Sequence, residues 1–353
     1  MTFSEKRNLI FHRCPADYVL LCSLEEIAWT FNLRATDTAY TPIALAYAIL
    51  GREKSYLFVD NSKLTPEVSS YLAQNDIVCL FSYDCIFDTI GTIVNQGTIL
   101  ADPRKTNHAL YSKIPTGNRT RGVSPIEKLK SIKNDTEISN LRNTMRKDGV
   151  ALANAIFEIE RLVKSNQTIT ETDVAHILRE KRKPQQNFVC ESFATIAGYG
   201  ANGAIVHYNA KPDGCSAIGT DGLLLIDSGA SYLDGTTDIT RVFCFGTPTD
   251  EQKRDYTLVL KGHIAIATCQ FPTGTSGMQI DSFARQYLWR AGMDYGHGTG
   301  HGVGFFLSVH EGPQRISKRN SDEPLAKHML LSDEPGVYKA GRHGIRIENV
   351  IAV

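Results

Sequence analysis

Four acidic residues and one histidine lie in strand-like or turn segments in the second half of the chain. They are Asp227, Asp238, His301, Glu334 and Glu348. Carboxylate oxygens and imidazole nitrogens are ligands for divalent metal ions. Four carboxylates and one imidazole are about what two such ions require, when carboxylates bridge them and a water or hydroxide completes the set. These residue types therefore predict metal-assisted hydrolysis.

Two of the acids frame a predicted strand pair. Asp227 ends an apolar run, residues 223–226, and Asp238 follows eleven residues later, beyond the turn signal Asp234-Gly235. A buried carboxylate must be paired, protonated or metal-bound, because leaving it unpaired costs several kcal/mol. The alternative for Asp227 is a strand-end residue that accepts hydrogen bonds from turn N–H groups. On a hairpin the two carboxylates could face each other across the strands.

His297 and His301 lie in a glycine-dense segment, with glycine at 296, 298, 300, 302 and 304. The four-residue spacing would suit a helical zinc-protease motif, but the glycines disfavour a helix and no Glu follows His297. The segment also lacks the phosphate-loop patterns Gly-x-Gly-x-x-Gly and Gly-Lys-Ser/Thr. We therefore expect these histidines on a close-packed strand surface.

The remaining candidates each have an ordinary structural alternative. Arg346 and Glu348 are expected to share one strand face, where an exposed ion pair is the alternative. Glu334 precedes Pro-Gly and could be a loop acid. His207 and His310 could be hydrogen-bonded core histidines. The prediction of a metal site depends on the whole set rather than on any one member.

The first 120 or so residues predict an α/β domain. Strands are expected at 17–22, 55–60 and 77–81, and a helix at 64–73 with Thr65 as its N-cap and Pro66 in its first turn. The polar, glycine- and proline-containing residues 116–125 predict a linker.

The second part of the chain begins with helical signals and continues with strands. Helices are expected at 135–164, from Thr170 with a Thr-x-x-Asp capping box, and at about 250–270 and 278–291. Strands are expected at 188–196, at 204–208, before Asp227 and from Asp238 to residue 245. Glycine-rich strand signals dominate the remainder, and no internal repeat is visible.

Composition excludes several classes of partner. Lys plus Arg and Asp plus Glu are balanced at 38 each in 353 residues, which argues against nucleic acid or an anionic membrane as partner. No apolar run approaches the roughly 20 residues of a spanning helix. The N-terminus does not resemble a secretory signal. Eight scattered cysteines without a Cys-x-x-Cys pair predict free thiols in a reducing compartment, so we expect a cytoplasmic protein.

Several of these segments together resemble the pita-bread metallopeptidases, and within them the cytosolic aminopeptidase P (Xaa-Pro aminopeptidase) group. The matching segments are AIVHY (204–208), LIDSGA (225–230), DGTTDITR (234–241), HGTGHGVG (297–304), VHEGP (309–313), DEPG (333–336) and GIRIENV (344–350). The resemblance extends to 271–274, 281–285 and 25–34, and thus to nearly the whole chain. It implies an α/β N-terminal creatinase/prolidase-like domain over 1–122, and an α+β pita-bread catalytic domain over 123–353.

By position, the resemblance implies a two-metal site, usually described with Mn²⁺. Asp227 would bind one metal, Asp238 and Glu348 would bridge both, and His301 and Glu334 would complete the ligands of the second.

The same resemblance assigns roles to other residues. His207 and His310 correspond to histidines that hold substrate and stabilise the developing oxyanion. Glu334 would also carry the proton to the leaving proline nitrogen. Residues expected to support the ligands or to contact substrate are Tyr208, His297, Tyr338 and Arg346.

The implied activity is release of the N-terminal residue from peptides with proline in second position. One alternative is prolidase, which applies the same chemistry to dipeptides, and another is a non-catalytic relative that binds peptides or proteins. A homodimer is a candidate assembly. Compared with the long cytosolic enzymes, we expect this sequence to lack their first domain and their C-terminal tail.

Overall fold

The computed structural model describes residues 1–95, 97–319 and 323–353, and it divides into two compact units, Met1–Lys130 and Ser131–Val353. The expected domain boundary after residue 122 lies slightly before this division and stays a prediction. Among the described residues, no helix is both long enough and apolar enough to span a bilayer.

The first unit is built on a mixed sheet with strand order β4-β3-β2-β1-β5-β6. The strands are β1 (Tyr18–Leu21), β2 (Ala46–Gly51), β3 (Ser55–Val59), β4 (Ile77–Phe81), β5 (Ile99–Ala101) and β6 (Arg119–Arg121). The helices are α1 (Phe3–Arg13), α2 (Leu24–Thr30), α3 (Pro66–Gln74), α4 (Ile86–Ile93), α5 (His108–Lys113) and α6 (Ile126–Ser131). Its core includes Ile49, Phe58, Ile90, Ile99 and Leu110, all buried.

Sequence predictions for this unit are confirmed except at the linker. The three expected strands are β1, β3 and β4, and α3 begins after Thr65, whose hydroxyl accepts from the Val68 amide at 3.3 Å. The linker prediction for residues 116–125 is wrong at Arg119–Arg121, because this segment pairs in parallel with β5. Polar side chains suit such an edge strand.

The described residues of the second unit form four long helices, each close to its predicted range. They are α7 (Asp135–Lys164), α8 (Glu171–Arg182), α9 (Asp250–Ala267) and α10 (Gly277–Trp289). Capping boxes begin α7 at Asn134 and α8 at Thr170, which confirms the expected helix starts.

Several small sheets carry the remainder of this unit, in the orders β11-β10-β7, β12-β9-β8 and β14-β13-β15-β18, with the hairpin β16-β17. The first strands are β7 (Phe188–Glu191), β8 (Ile196–Tyr199), β9 (Leu223–Ser228), β10 (Ala230–Tyr232), β11 (Gly235–Thr236) and β12 (Ile239–Cys244). The later ones are β13 (Gly300–Gly302), β14 (Glu311–Ile316), β15 (Leu330–Asp333), β16 (Gly336–Lys339), β17 (His343–Arg346) and β18 (Asn349–Ala352).

Two strand predictions here are wrong. The run 188–196 forms two strands rather than one, because Ser192 leaves the extended path and bonds to the Gly229 and Thr237 carbonyls. Residues 204–208 form no strand: the 3₁₀ turn Gly200–Ala204 is followed by a further turn in which the Tyr208 amide donates to the Ile205 carbonyl.

Two further expectations are only partly met. β9 and β12 pair antiparallel as predicted, but the Asp234-Gly235 turn closes a small inserted hairpin, β10–β11, between them. Arg346 ends β17, whereas Glu348 lies in the link to β18 and forms an isolated bridge with Thr240. Both residues are buried, so the alternative of an exposed ion pair is wrong.

Candidate metal centre

Asp227 and Asp238 lie beside each other at the end of the β9–β12 pair. Asp227 is in register with Thr240, and Asp238 immediately precedes β12. Both side chains are buried, and β9, which carries Asp227, is covered along its whole length. Asp227 Oδ2 accepts from Arg346 Nη2 at 2.5 Å, while its Oδ1 has no hydrogen-bond partner among the described residues.

His301 lies in the middle of β13, where glycine on both sides allows close approach of other strands. A Cβ at Gly300 would lie 1.9 Å from the Ser332 carbonyl oxygen, so only glycine fits against β15 there. His301 Nδ1 lies 2.9 Å from the Gly302 carbonyl oxygen and therefore donates to it. This leaves Nε2 as an acceptor, 3.4 Å from both Asp238 Oδ2 and Glu334 Oε1. An imidazole oriented in this way can bind a metal through Nε2.

Glu334 and Glu348 lie next to the same cluster, Glu334 directly after β15 and Glu348 directly before β18. Glu348 is buried, and its Oε2 accepts from the Thr240 hydroxyl at 2.6 Å. Glu334 follows β15, and its Oε1 accepts from the Ser332 hydroxyl at 3.0 Å. Each carboxylate is thus oriented by a neighbouring hydroxyl while its second oxygen stays available as a ligand.

The cluster has the electrostatics of a cation site. Ligand atoms of Asp238, His301 and Glu348 all lie within 4.8 Å of one another. Burial, and then the neighbouring carboxylates, raise the pKa of Asp238 and Glu348 well above their usual values, and burial also raises the pKa of Glu334. Buried acids held this close repel one another unless a cation offsets their charge. Asp227 Oδ1, which is buried without a hydrogen-bond partner among the described residues, would also be stabilised by a cation. The residues present therefore fit divalent metal ions.

A chain of hydrogen bonds links Asp227 through Arg346 and Tyr338 to His297. Arg346 Nη1 donates to the Tyr338 hydroxyl at 2.8 Å, and that hydroxyl lies 2.8 Å from His297 Nε2. His297 Nδ1 lies 2.7 Å from the Gly298 carbonyl oxygen, to which it donates, so Nε2 accepts from Tyr338. Burial raises the pKa of Tyr338 to about 12 and lowers that of His297 to about 4. His297 precedes β13, so the expectation that it lies on a strand is wrong.

His310 packs edge-on against His301, with 4.2 Å between the ring centroids. Although His310 is exposed, partial desolvation by the surrounding protein, followed by the charges of His301 and His207, lowers its pKa to about 4. His207 lies on the exposed loop after the 3₁₀ turn, and His310 is exposed as well, so the core-histidine alternative is wrong for both residues. The Tyr208 hydroxyl donates to Glu171 Oε2 at 2.7 Å.

Residues 139–353 match metallopeptidase family M24, and residues 1–137 match the creatinase/prolidase N-terminal domain. The chain belongs to family M24. The fold expected from the resemblance, an α/β N-terminal domain followed by a pita-bread domain, is therefore confirmed.

Relatives within family M24 carry related names. This chain is 43% identical over 343 residues to a probable Xaa-Pro aminopeptidase P of Neurospora crassa, covering 94% of this chain and 50% of that protein. It is 42% identical over 368 residues to aminopeptidase P2 of Arabidopsis thaliana, covering 95% and 51%. The chain thus spans about half the length of these relatives.

Solved structures of proteins with related names have the same fold as this chain. An X-prolyl aminopeptidase from Caenorhabditis elegans, described as a cytosolic enzyme with a di-nuclear active site, superposes with a TM-score of 0.94 at 33% identity, over 100% of this chain and 59% of that one. An Xaa-Pro dipeptidase from Bacillus anthracis gives 0.80 at 25% identity, over 99% and 94%.

The sequence did not indicate the two residues that orient the candidate glutamate ligands. Thr240 and Ser332, which bond to Glu348 and Glu334, were not singled out. Thr240 lies two residues after Asp238, so strand alternation would place both on one face and could have indicated it. Ser332 carries no comparable local signal.

Proposed function

We propose that this chain is a two-metal exopeptidase that releases the N-terminal residue from peptides whose second residue is proline. The observation that carries the proposal is the convergence of four carboxylates and one imidazole from segments far apart in the sequence, with ligand atoms of Asp238, His301 and Glu348 within 4.8 Å of one another. The family and the names of the relatives support the same activity.

The residues that would hold the ions are Asp227, Asp238, His301, Glu334 and Glu348. When bound, two divalent ions, for which we propose Mn²⁺, acidify a water and supply a hydroxide nucleophile near neutral pH. The acidic cluster also suits a free α-amine, which explains why only the first residue would be removed.

Other side chains would act on the peptide itself. His310, packed against His301, and His207 on its exposed loop would donate N–H groups to the scissile carbonyl oxygen as negative charge develops there. Glu334, oriented by Ser332, would pass a proton to the departing proline nitrogen. That nitrogen belongs to a tertiary amide without an N–H, which peptidases that require this donor reject.

Arg346 and Tyr338 would orient the residues beside the metal ions, because Arg346 bonds to Asp227 and to Tyr338, and Tyr338 bonds to His297. Tyr208 would hold the His207 loop through Glu171. We also propose a cytoplasmic location, because the cysteines of the described residues are free thiols. A homodimer stays a prediction.

The decisive assay incubates the Mn²⁺-loaded chain with Arg-Pro-Pro and measures release of arginine. The proposal expects release by the wild type and none by Asp227→Ala. Asp221→Ala is the control and should keep the wild-type rate, because Asp221 is exposed and accepts a hydrogen bond from Tyr199 rather than from any residue of the metal centre. Intact peptide with the metal-loaded wild type would overturn the proposal.

A length series of Xaa-Pro-(Yaa)n peptides separates the two peptidase activities, because cleavage restricted to Xaa-Pro dipeptides would identify a prolidase instead. Metal content distinguishes the proposed enzyme from the third alternative, a non-catalytic binding protein. A non-catalytic relative purified in Mn²⁺ would retain almost no metal, whereas the proposed enzyme would retain close to two Mn²⁺ ions per chain.

A further inference from the structure

His263 of α9 contacts the neighbours of two ligand residues at once. Its Nδ1 lies 3.1 Å from the Asp333 carbonyl oxygen and 3.0 Å from Asp333 Oδ2, and Asp333 directly precedes Glu334. Its Nε2 lies 2.9 Å from Asn349 Nδ2, and Asn349 directly follows Glu348. His263 itself is buried, and both of its ring nitrogens are engaged, so it is not a ligand.

The backbone ladder ends where these contacts begin. Strands β15 and β18 pair from Leu330 with Ala352 to Asp333 with Asn349, which is the last pair. Glu334 and Glu348 lie immediately beyond it, so strand pairing alone does not hold their spacing. The Glu334 amide donates to the Thr299 carbonyl at 2.8 Å and the Glu348 amide donates to the Thr240 carbonyl at 3.2 Å, so each residue is bonded to a different segment. A side-chain link across the last pair joins the two ligand segments directly to each other.

Arg241 determines the direction of the hydrogen bonds in this link. Its Nη2 donates to Asn349 Oδ1 at 2.8 Å, and its Nη1 donates to the Glu348 carbonyl oxygen at 2.6 Å. Because arginine can only donate, the Asn349 oxygen faces Arg241 and its NH₂ group faces His263. Nε2 of His263 must then accept, so the ring proton lies on Nδ1 and points to Asp333.

We propose that Arg241, Asn349 and His263 form a positioning chain that holds Glu334 and Glu348 at the separation needed to bind the metal ions. This inference rests on the proposed two-metal function. Arg241 is on β12, three residues after Asp238, so the chain joins the segments that carry three of the acidic ligands. His263 is a positioning residue, since it acts on the metal only through its neighbours.

The test measures Mn²⁺ affinity of the full chain by isothermal titration calorimetry for graded variants of His263. His263→Phe removes both hydrogen bonds, His263→Asn keeps a donor toward Asp333, and His263→Gln keeps an acceptor toward Asn349. We expect His263→Phe to bind Mn²⁺ about tenfold to a hundredfold more weakly than wild type, with the other two variants between them.

The matched control is Ile266→Ala, one turn further along α9, whose side chain packs in an apolar cluster with Leu331 and forms none of the hydrogen bonds of the positioning chain. It lowers stability through a cavity but leaves the positioning chain intact, so its Mn²⁺ affinity is expected to equal that of wild type. Urea unfolding of each metal-free variant reports loss of stability separately from loss of affinity. Asn349→Ala provides a second break in the chain should His263→Phe fail to fold.

The outcomes separate the two proposals. Wild type that binds no Mn²⁺ overturns the two-metal function and this inference with it. A second outcome would overturn the positioning-chain proposal alone. In it, the wild type binds Mn²⁺, and the His263→Gln, His263→Asn and Asn349→Ala variants bind it with unchanged affinity. Equal losses of affinity in Ile266→Ala and in the His263 variants would also overturn it, because general destabilisation would then be the cause.

Discussion

The guanidinium of Arg346 donates from Nη2 to Asp227 Oδ2 at 2.5 Å, with both side chains largely buried. Burial alone would lower the pKa of Arg346, but Asp227 and then Tyr338 raise it well above its usual value. Arg346 is therefore a fixed positive charge at one edge of a cluster of acids. It offsets part of their repulsion before any metal binds.

Replacing Arg346 by methionine should strongly destabilise the metal-free protein. The change leaves Asp227 without its charged partner, which typically costs about 3–5 kcal/mol. Urea unfolding in the presence of a chelator measures this loss. Arg342→Met is the matched control: its side chain is 57% exposed, so its ion pair with Glu251 should contribute less than about 1 kcal/mol. Equal effects of the two substitutions would contradict the prediction.

Glu348→Gln should separate stability from metal binding. The amide oxygen can still accept from the Thr240 hydroxyl, while one negative charge leaves a buried cluster of acids. We expect metal-free stability to be unchanged or raised by up to about 2 kcal/mol. Wild type should gain about 2.7 kcal/mol when free Mn²⁺ is 100 times its dissociation constant, and the variant should gain little.

Differential scanning calorimetry with and without Mn²⁺ measures both effects. Glu160→Gln is the control, because Glu160 is partly exposed on α7 and pairs only with the neighbouring Lys164 among the ion pairs of the described residues. A Glu348→Gln variant that Mn²⁺ stabilises as strongly as wild type would argue against Glu348 as a ligand.

His297 should make the protein sensitive to acid. Burial lowers its pKa to about 4 in the folded state, whereas a histidine in an unfolded chain titrates near 6.5. The unfolded state therefore binds the proton first, and the stability that neutral His297 contributes is lost as pH falls from about 6.5 to about 4. The free energy of unfolding of wild type relative to His297→Gln should fall by about 3 kcal/mol over this range. Denaturant titrations at fixed chelator concentration measure the difference, and a value independent of pH would contradict the assignment.

Gly344→Ala should disturb the His207 loop through the backbone. A Cβ at Gly344 would lie 1.7 Å from the Gly203 carbonyl oxygen, so β17 and the 3₁₀ turn Gly200–Ala204 would have to separate. We expect a loss of about 1–3 kcal/mol in stability and a lower kcat/KM, because His207 follows this turn. Gly117→Ala is the control, since nothing lies within 4 Å of its added Cβ. Unfolding and peptide-release assays on both variants test this, and wild-type behaviour of Gly344→Ala would contradict it.

Local signals in the sequence were sufficient for the helices of the second unit. Asn134 and Thr170 cap α7 and α8 through hydrogen bonds to amides three residues away, so the signal and its effect lie within one turn. The apolar run before Asp227 likewise predicted β9, because its burial follows from the side chains themselves. The types of the candidate ligands were also readable, since coordination chemistry depends on the atoms a side chain carries.

Other features depended on partners far away in the chain. Residues 119–121 form an edge strand because their backbone pairs with β5. Residues 204–208 form a turn rather than a strand because the preceding Gly203 packs against Gly344. His263 gave no signal, since a single histidine in a helix looks the same whether or not it touches Asp333 and Asn349.

The amino-acid order by itself determined which groups could bind metal and where the helices begin, because both follow from covalent chemistry and from contacts within a few residues. Only the tertiary structure decided that Asp227, Asp238, His301, Glu334 and Glu348 meet, and that Thr240, Ser332 and His263 orient their neighbours. Those relationships depend on strand register and on the approach of segments distant in sequence, which are decided by long-range packing rather than by local pattern.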